Sequence, residues 1–162
     1  MRSIEPLSEN ALAVFRVLTE GFTKVGDHRK VQQSREFMPV SVEAVGTTPQ
    51  GALIVAVTHY YEQNGDLMAD PEVTFVVARN NYVFPISFRQ DNLGIDRVYV
   101  RWEDGKIYWN LEMQNDLASF CDEWMENIKQ QQYGGRLPEK SRPSADSATD
   151  NLIHQGDGSH DG

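Results

Sequence analysis

The sequence predicts an α+β domain, in which an antiparallel meander sheet of five or six strands carries an N-terminal and a C-terminal helix packed on one face. Three observations predict this class. Apolar residues recur at helical spacing in two separate segments, and strand-like runs follow one another between these two segments. Two-residue turn signals such as Asp104-Gly105 join some of those runs, and turns this short connect antiparallel neighbours.

Both helices carry cap and stop signals. Ser8 can cap the first helix with its hydroxyl, and Asn115 is the predicted cap of the second, which Gly134 and Gly135 then stop. The first apolar stripe consists of Leu12, Phe15, Leu18 and Phe22. The second consists of Leu117, Phe120, Cys121, Trp124 and Ile128. A cysteine on an apolar stripe is typical of a buried, inert thiol.

Six runs between the helices are predicted as strands: about 38–45, 51–61, 72–79, 82–88, 96–103 and 106–111. Because the turns of a meander alternate between the two ends of a sheet, the loops 62–72 and 89–94 are expected together at one end. The segment 24–37, with its basic residues, should reach that end and pair with the acidic loop 62–72.

Charge and composition set the domain limits and exclude several classes of protein. The chain has a formal net charge of -9, and residues 1–134 account for most of it, with 12 basic and 19 acidic side chains. Residues 1–134 are predicted as a single domain and 135–162, which has few apolar groups, as a disordered tail. Strong acidity argues against direct binding of duplex nucleic acid.

Cysteine content and apolar patterning predict the compartment. One cysteine allows neither an internal disulfide framework nor a cysteine-built zinc site. No signal peptide is visible, and no apolar run approaches the ~20 residues of a membrane-spanning helix. A cytoplasmic protein without membrane contact is therefore expected.

Polar side chains collect in the two loops expected at one end of the sheet. Functional residues gather in loops that a rigid scaffold holds, so these side chains form the candidate functional surface. They are His59, Glu62, Asn64, Asp66, Asp70, Glu72, Arg89, Gln90 and Asp91.

Besides ordinary solvated turns, this surface allows two chemical interpretations. Its carboxylates are oxygen ligands of the kind that magnesium or calcium binds, although their spacing matches no calcium loop. His59 with Glu62 or Asp91 could transfer protons while Arg89 holds an anion. No nucleophile motif or phosphate loop is present, so no catalytic residue, metal ligand or cofactor is assigned.

Two runs resemble the motifs of an uncharacterised bacterial domain family that is carried on plasmids, phages and integrative elements. The first runs from His59 to Glu72 and the second from Phe84 to Gly94. The segment from Asp116 to Trp124 resembles the closing helix of that family. The similarity covers about residues 36–133 and implies a gene-transfer or phage-related context. It implies no activity.

The resulting prediction is a non-enzymatic protein-interaction or accessory module with an acidic surface. Residues 103–126 carry seven acidic side chains and one basic one, which could steer a basic partner. A nucleic-acid-processing enzyme, whose phosphate groove accepts carboxylates, is one such partner. The alternative is a small enzyme or metal-dependent hydrolase that uses the 59–72 and 89–91 loops.

Overall fold

The structure is a computed structural model that describes residues 3–139 of the 162-residue chain. Its class is α+β, as predicted, with a six-stranded antiparallel sheet, a short N-terminal helix and a longer C-terminal helix. None of the described helices is long and apolar enough to cross a membrane. The part of the predicted tail from 140 to 162 lies outside the described residues.

The sheet is a meander in which each strand pairs antiparallel with the next along the chain. Its strands are β1 (His28–Val31), β2 (Val40–Thr47), β3 (Leu53–Gln63), β4 (Asp66–Val77), β5 (Val83–Gln90) and β6 (Ile95–Val98). β1 was not predicted, because Val31 is its one buried residue and an edge strand of this kind shows no apolar alternation.

The predicted strand 96–103 is wrong as a single element. It divides after Val98 into β6 and β7 (Val100–Glu103), which pairs with β8 (Lys106–Trp109) in a separate two-stranded hairpin. The backbone N–H of Tyr99 still donates to the carbonyl of Ile86 at 2.8 Å. Val100 then packs against Val76 and Ile86 in a second apolar cluster. Because Val100 is buried there, the chain leaves the edge of the sheet.

The predicted loop 62–72 is also wrong, since most of it extends β3 and β4 as a paired hairpin. Asn64 (φ 54°) and Gly65 (φ 85°) alone form the turn, and Gln63 pairs with Asp66. Both turn residues adopt positive φ, which an Asn-Gly pair tolerates in a two-residue hairpin turn. The polar residues of this segment suggested a loop, but they are the solvent-exposed side chains of a projecting hairpin.

Helix α1 (Glu9–Leu18) begins as its sequence predicts. The Ser8 hydroxyl accepts a hydrogen bond from the backbone N–H of Ala11 at 3.2 Å. At the other end, Arg29 of β1 donates to the carbonyls of Leu18 (2.9 Å) and Glu20 (2.6 Å). The expected pairing of Arg29 with the acidic loop is therefore wrong, because the free carbonyls at the end of a helix attract the guanidinium.

Helix α2 (Leu111–Tyr133) begins five residues before the predicted start. Its N-cap is Asn110, whose side chain accepts from the N–H of Met113 at 3.1 Å, so the prediction of Asn115 as the cap is wrong. Both asparagines satisfy the sequence rule for a cap, and Asn110 takes the role because it follows the last residue of β8 directly. The predicted stop at Gly134, in the left-handed conformation, is confirmed.

One buried cluster joins both helices to the sheet, and Leu137 of the predicted tail packs against it. Its members from the helices include Phe15, Leu18, Cys121, Trp124, Met125 and Ile128, and its members from the strands include Val40, Val42, Val55, Val57, Val73 and Phe75. The placement of both helices on one face of the sheet stays a prediction. Burial raises the pKa of the Cys121 thiol, which fits the predicted inert cysteine.

Two buried glutamines of α2 fasten distant backbone segments to the helix. Gln114 accepts from the N–H of Glu5 at 2.7 Å and donates to the carbonyls of Glu5 and Pro85 at 2.8 and 3.1 Å. Gln132 accepts from the N–H of Gln33 at 2.8 Å and donates to the carbonyl of Met38 at 3.0 Å. The N-terminal segment and the β1–β2 connection are thus both held by α2.

Candidate functional site

The structure divides the nine residues of the candidate surface into two groups. His59, Asp70, Glu72, Arg89, Gln90 and Asp91 lie together where β3, β4 and β5 adjoin. Glu62, Asn64 and Asp66 lie at the exposed tip of the β3–β4 hairpin. Because a strand rises ~3.4 Å per residue, Asp66 lies roughly 13 Å along β4 from Asp70, so the tip is not part of the same site.

Arg89 and Asp91 form the best-defined contact of the site. Arg89 Nε donates to Asp91 Oδ1 at 2.8 Å and Arg89 Nη2 donates to Oδ2 at 3.2 Å. The N–H of Ala69 on β4 donates to the same Oδ2 at 2.7 Å. These donors, Arg89 first and Ala69 second, lower the pKa of Asp91, and the hydrogen bond to Asp91 is the main cause that raises the pKa of Arg89.

Glu72 lies between a hydroxyl and a guanidinium. Thr58 Oγ1 donates to Glu72 Oε1 at 3.2 Å, and Arg89 Nη1 lies 3.7 Å from Glu72 Oε2. Strand register extends this contact into a polar row across all six strands: Lys30, Ser41, Thr58, Glu72, Arg89 and Asp96. The row alternates in charge along the sheet, so it concentrates no charge of one sign.

A hollow of about 410 Å³ adjoins the β1 end of this row. It is lined by residues that include Lys30, Ser41, Glu43, Thr58, Tyr60 and Glu72. The Thr58 hydroxyl in its wall already donates to Glu72. His28 and Arg29 line it as well, so one imidazole, one guanidinium, one ammonium, two carboxylates and three hydroxyl groups surround the hollow. They do not form a recognisable catalytic arrangement.

A contact between Asp70 and Gln90 is the second one that joins the 62–72 segment to the 89–94 segment, after that of Ala69 with Asp91. Gln90 Nε2 donates to Asp70 Oδ1 at 2.8 Å. Asp70 lies beside a register shift in β3–β4, where Thr58 pairs with Glu72 and Tyr60 pairs with Ala69. The expected proximity of the 62–72 and 89–94 segments is therefore confirmed, through side chains that fasten β4 to the end of β5.

His59 points away from this polar network into the core. It is 5% exposed, its ring lies 5.5 Å from that of Trp124 on α2, and its Nε2 atom has no hydrogen-bond partner among residues 3–139. Burial lowers the pKa of His59, and the nearby Asp70 carboxylate opposes that shift. His59 is therefore a neutral core histidine at neutral pH, and no hydrogen bond links it to Glu62 or Asp91.

The network supports structure better than chemistry. Within residues 3–139, no group of three or more His, Cys, Asp or Glu side chains is placed to hold a metal ion. Asp70, Glu72 and Asp91 each accept a hydrogen bond from another part of the chain. The contacts of Asp70 with Gln90 and of Glu72 with Arg89 join β4 to β5, and that of Asp91 with Ala69 joins β4 to the 3-10 turn Asp91–Leu93.

A different set of carboxylates remains available on α2. Glu112, Asp116 and Glu123 are exposed, and across residues 3–139 none of them forms an ion pair or accepts a hydrogen bond. Asp122 differs, because its Oδ1 accepts from the N–H of Ser8 at 2.8 Å and so holds the start of α1. Glu126 also accepts, from Gln130 Nε2 at 3.0 Å, and Glu103 pairs with Arg101. The excess of acidic residues over 103–126 indicates this region, and the structure separates its bonded carboxylates from the free ones.

Comparison with known families gives one match. The sequence matches the family described as "Domain of unknown function (DUF6908)" over residues 11–134. The chain belongs to the DUF6908 family. The predicted resemblance to an uncharacterised family is thereby confirmed at the level of a domain of unknown function, and the DUF6908 match carries no information on bacterial origin or mobile elements.

Searches of curated proteins and of solved structures found no match. The DUF6908 family therefore supplies no catalytic residue, ligand or partner that could be transferred to this chain.

Proposed function

We propose that this DUF6908 domain is a non-enzymatic interaction or accessory module that binds a basic protein partner through the solvent face of α2. The observation that carries the proposal is the free state of Glu112, Asp116 and Glu123 described above. A carboxylate that has no partner among residues 3–139 is open to a basic group of another protein. The carboxylates of the 59–91 network are in contrast satisfied by their own chain.

The acidic face of α2, defined as Glu112, Asp116, Glu123 and Glu126, follows one side of the helix. At ~1.5 Å per residue these side chains span roughly 21 Å. Lys129 is the one basic residue in α2, and the acidic face contains none. Phe120, which packs against Phe88 and Trp124, is 38% exposed and lies at the margin of this face. Aromatic residues are enriched at protein–protein interfaces, so Phe120 adds an apolar contact beside the carboxylates.

Electrostatics favours a partner with a positively charged groove. A row of carboxylates raises the encounter rate with such a surface and does so less at high ionic strength. A nucleic-acid-processing enzyme has a groove of this kind because it binds phosphates. We assign the partner to that class, with duplex DNA as a competitor for the same groove.

The gene-transfer setting of this module rests on the sequence resemblance alone. A module that binds the enzymes that cut or move DNA would suit a mobile element, which agrees with the class of partner proposed here. Genes for a relaxase, a nuclease or a restriction system next to DUF6908 genes would support the setting. Their absence across many genomes would remove it.

A neutralisation experiment tests the role of α2. The variant Glu112→Gln/Asp116→Asn/Glu123→Gln should lose affinity for a short arginine-rich peptide, measured by fluorescence anisotropy at low and high ionic strength. The control Glu43→Gln/Glu62→Gln/Asp66→Asn removes the same charge from exposed positions elsewhere and should bind nearly as well as the unchanged protein. Equal losses in both variants, or no binding by the unchanged protein, would contradict the proposal.

The partner class needs a second measurement. A purified nuclease or relaxase from the same gene neighbourhood should bind the unchanged protein, and duplex DNA should compete with it for the enzyme. A complex that DNA does not displace would place the contact outside the phosphate groove. The hydrolase alternative stays a prediction, and no described contact favours it.

A further inference from the structure

Strand β8 has a free edge on the surface of the molecule. Among residues 3–139 it pairs with β7 alone, and all four of its residues, Lys106 to Trp109, are exposed. A two-stranded hairpin is marginally stable in water, and an exposed edge rich in β-forming side chains is a template for another strand. Ile107, Tyr108 and Trp109 are side chains of that kind.

The backbone groups that point outward follow from the pairing within the hairpin. Asp104 (φ 51°) and Gly105 (φ 77°) form a two-residue turn, so the flanking pair Glu103–Lys106 is hydrogen-bonded and bonded pairs alternate from there. At the far end the N–H of Asn110 donates to the carbonyl of Tyr99 at 2.8 Å, which fits the same alternation. The N–H and C=O groups of Ile107 and Trp109 therefore face the free edge.

The sequence of β8 is complementary to itself in one antiparallel register. We infer that two copies of this chain associate through β8, with a twofold axis at Tyr108. Ile107 then lies opposite Trp109 of the second copy, and the two Tyr108 side chains face each other. Both cross-strand contacts join apolar or aromatic side chains that are 44% to 53% exposed in the single chain.

Backbone geometry agrees with this register. Ile107 and Trp109, whose backbone groups point outward, form the hydrogen-bonded pairs between the copies, while Tyr108 occupies the non-bonded pair on the axis. Lys106 lies opposite Asn110 of the second copy, so no two like charges are directly opposed. The result is a continuous four-stranded sheet of the order β7-β8-β8-β7.

Charge favours a second copy at this surface. Residues 100–109 contain Arg101, Glu103, Asp104 and Lys106, a net charge of zero in a chain of net charge -9. Two acidic molecules repel each other over most of their surfaces and least at a neutral one. Arg101 pairs with Glu103 and lies 4.7 Å from the ring centre of Tyr108, so this surface has few charges left for a charged partner.

The oligomeric state of the full chain tests the inference. Light scattering coupled to size-exclusion chromatography should give twice the 18.4 kDa chain mass at high protein concentration. Tyr108→Lys places two ammonium groups opposite each other on the axis and should return the protein to the single-chain mass. Tyr82→Lys changes an aromatic residue of 52% exposure away from β8 and should leave the dimer intact.

Cross-linking tests the register itself. The Cα atoms of a non-bonded antiparallel pair lie ~4.5 Å apart, which a disulfide can bridge. Tyr108→Cys should therefore form a covalent dimer under mild oxidation, while Tyr82→Cys should not, and the native Cys121 is fully buried. A single-chain mass at every concentration, a dimer that survives Tyr108→Lys, or a dimer that Tyr108→Cys does not cross-link would each overturn the inference. Circular dichroism would verify that each variant is folded.

Discussion

The side-chain amide of Gln114 pairs with the backbone of Glu5, accepting from its N–H at 2.7 Å and donating to its carbonyl at 2.8 Å. These two hydrogen bonds resemble the pair that joins residues of neighbouring strands, although Gln114 and Glu5 are 109 positions apart in sequence. The same amide donates to the buried carbonyl of Pro85 at 3.1 Å. One fully buried side chain thus joins the N-terminal segment, α2 and β5.

Replacing this amide should destabilise the fold. Gln114→Leu keeps the volume but leaves three backbone groups without a partner, which we expect to lower the free energy of unfolding by about 3 kcal/mol. Urea denaturation followed by circular dichroism measures the change. Gln130→Leu, at an exposed position of the same helix, should change it by less than ~0.5 kcal/mol. Equal effects of the two variants would contradict a clamping role for Gln114.

Arg29 should stabilise α1 from outside the helix. Its guanidinium donates to three carbonyls at the end of that helix. Arg29→Met removes these bonds, and we expect a loss of about 1.5 kcal/mol in the free energy of unfolding. Lys30→Met, on the neighbouring exposed residue of β1, is the control for the loss of one positive charge. A loss of equal size in both variants would mean that charge alone, without the carbonyl contacts, is responsible.

His59 should make stability depend on pH in the mildly acidic range. Burial lowers its pKa in the folded state below the ordinary value of 6.5, so the unfolded chain binds more protons as the pH falls through that value. The free energy of unfolding should therefore decrease between about pH 7 and 5.5, by at most ~1.4 kcal/mol per pH unit. His59→Leu should remove this slope, whereas His28→Leu, at an exposed position, should retain it. An unchanged slope in His59→Leu would show that other groups cause it.

Asp91 should also make stability fall on acidification, but at lower pH than His59. Its folded-state pKa lies below the ordinary value of 3.8, so its contribution is present above that pH and is lost as the pH falls through the folded value. The difference in melting temperature between the unchanged protein and Asp91→Asn should be largest near neutral pH and shrink on acidification. Asp66→Asn, at the hairpin tip, should show a small difference at every pH. A difference for Asp91→Asn that does not change with pH would exclude the charged contact with Arg89 as its cause.

Local signals in the sequence predicted the elements that depend on local contacts. Ser8 caps α1 and Gly134 ends α2 because caps act within one turn of the helix. The meander order followed from short connections. β1 and the shift of the α2 cap to Asn110 depend instead on which residues meet across the sheet, and neither local apolar pattern nor residue type encodes that.

The candidate site was predicted in part for the same reason. Its two segments do meet, and Asp91 bonds to Ala69 across them. The sequence could not show that Arg89 would neutralise Asp91, or that His59 would face Trp124 instead of the polar network. The amino-acid composition showed an excess of acidic residues on α2. Whether these carboxylates are available to a partner depends on which of them accept hydrogen bonds within the fold.

The contacts of Gln132 have a consequence for how the chain assembles. Its amide holds Gln33 and Met38, so the connection between β1 and β2 is fastened by the last turn of α2. During synthesis all six strands of the sheet precede that turn in the chain. The β1–β2 connection should therefore stay loosely held until α2 docks, and a chain shortened to residue 130 should lack both contacts permanently.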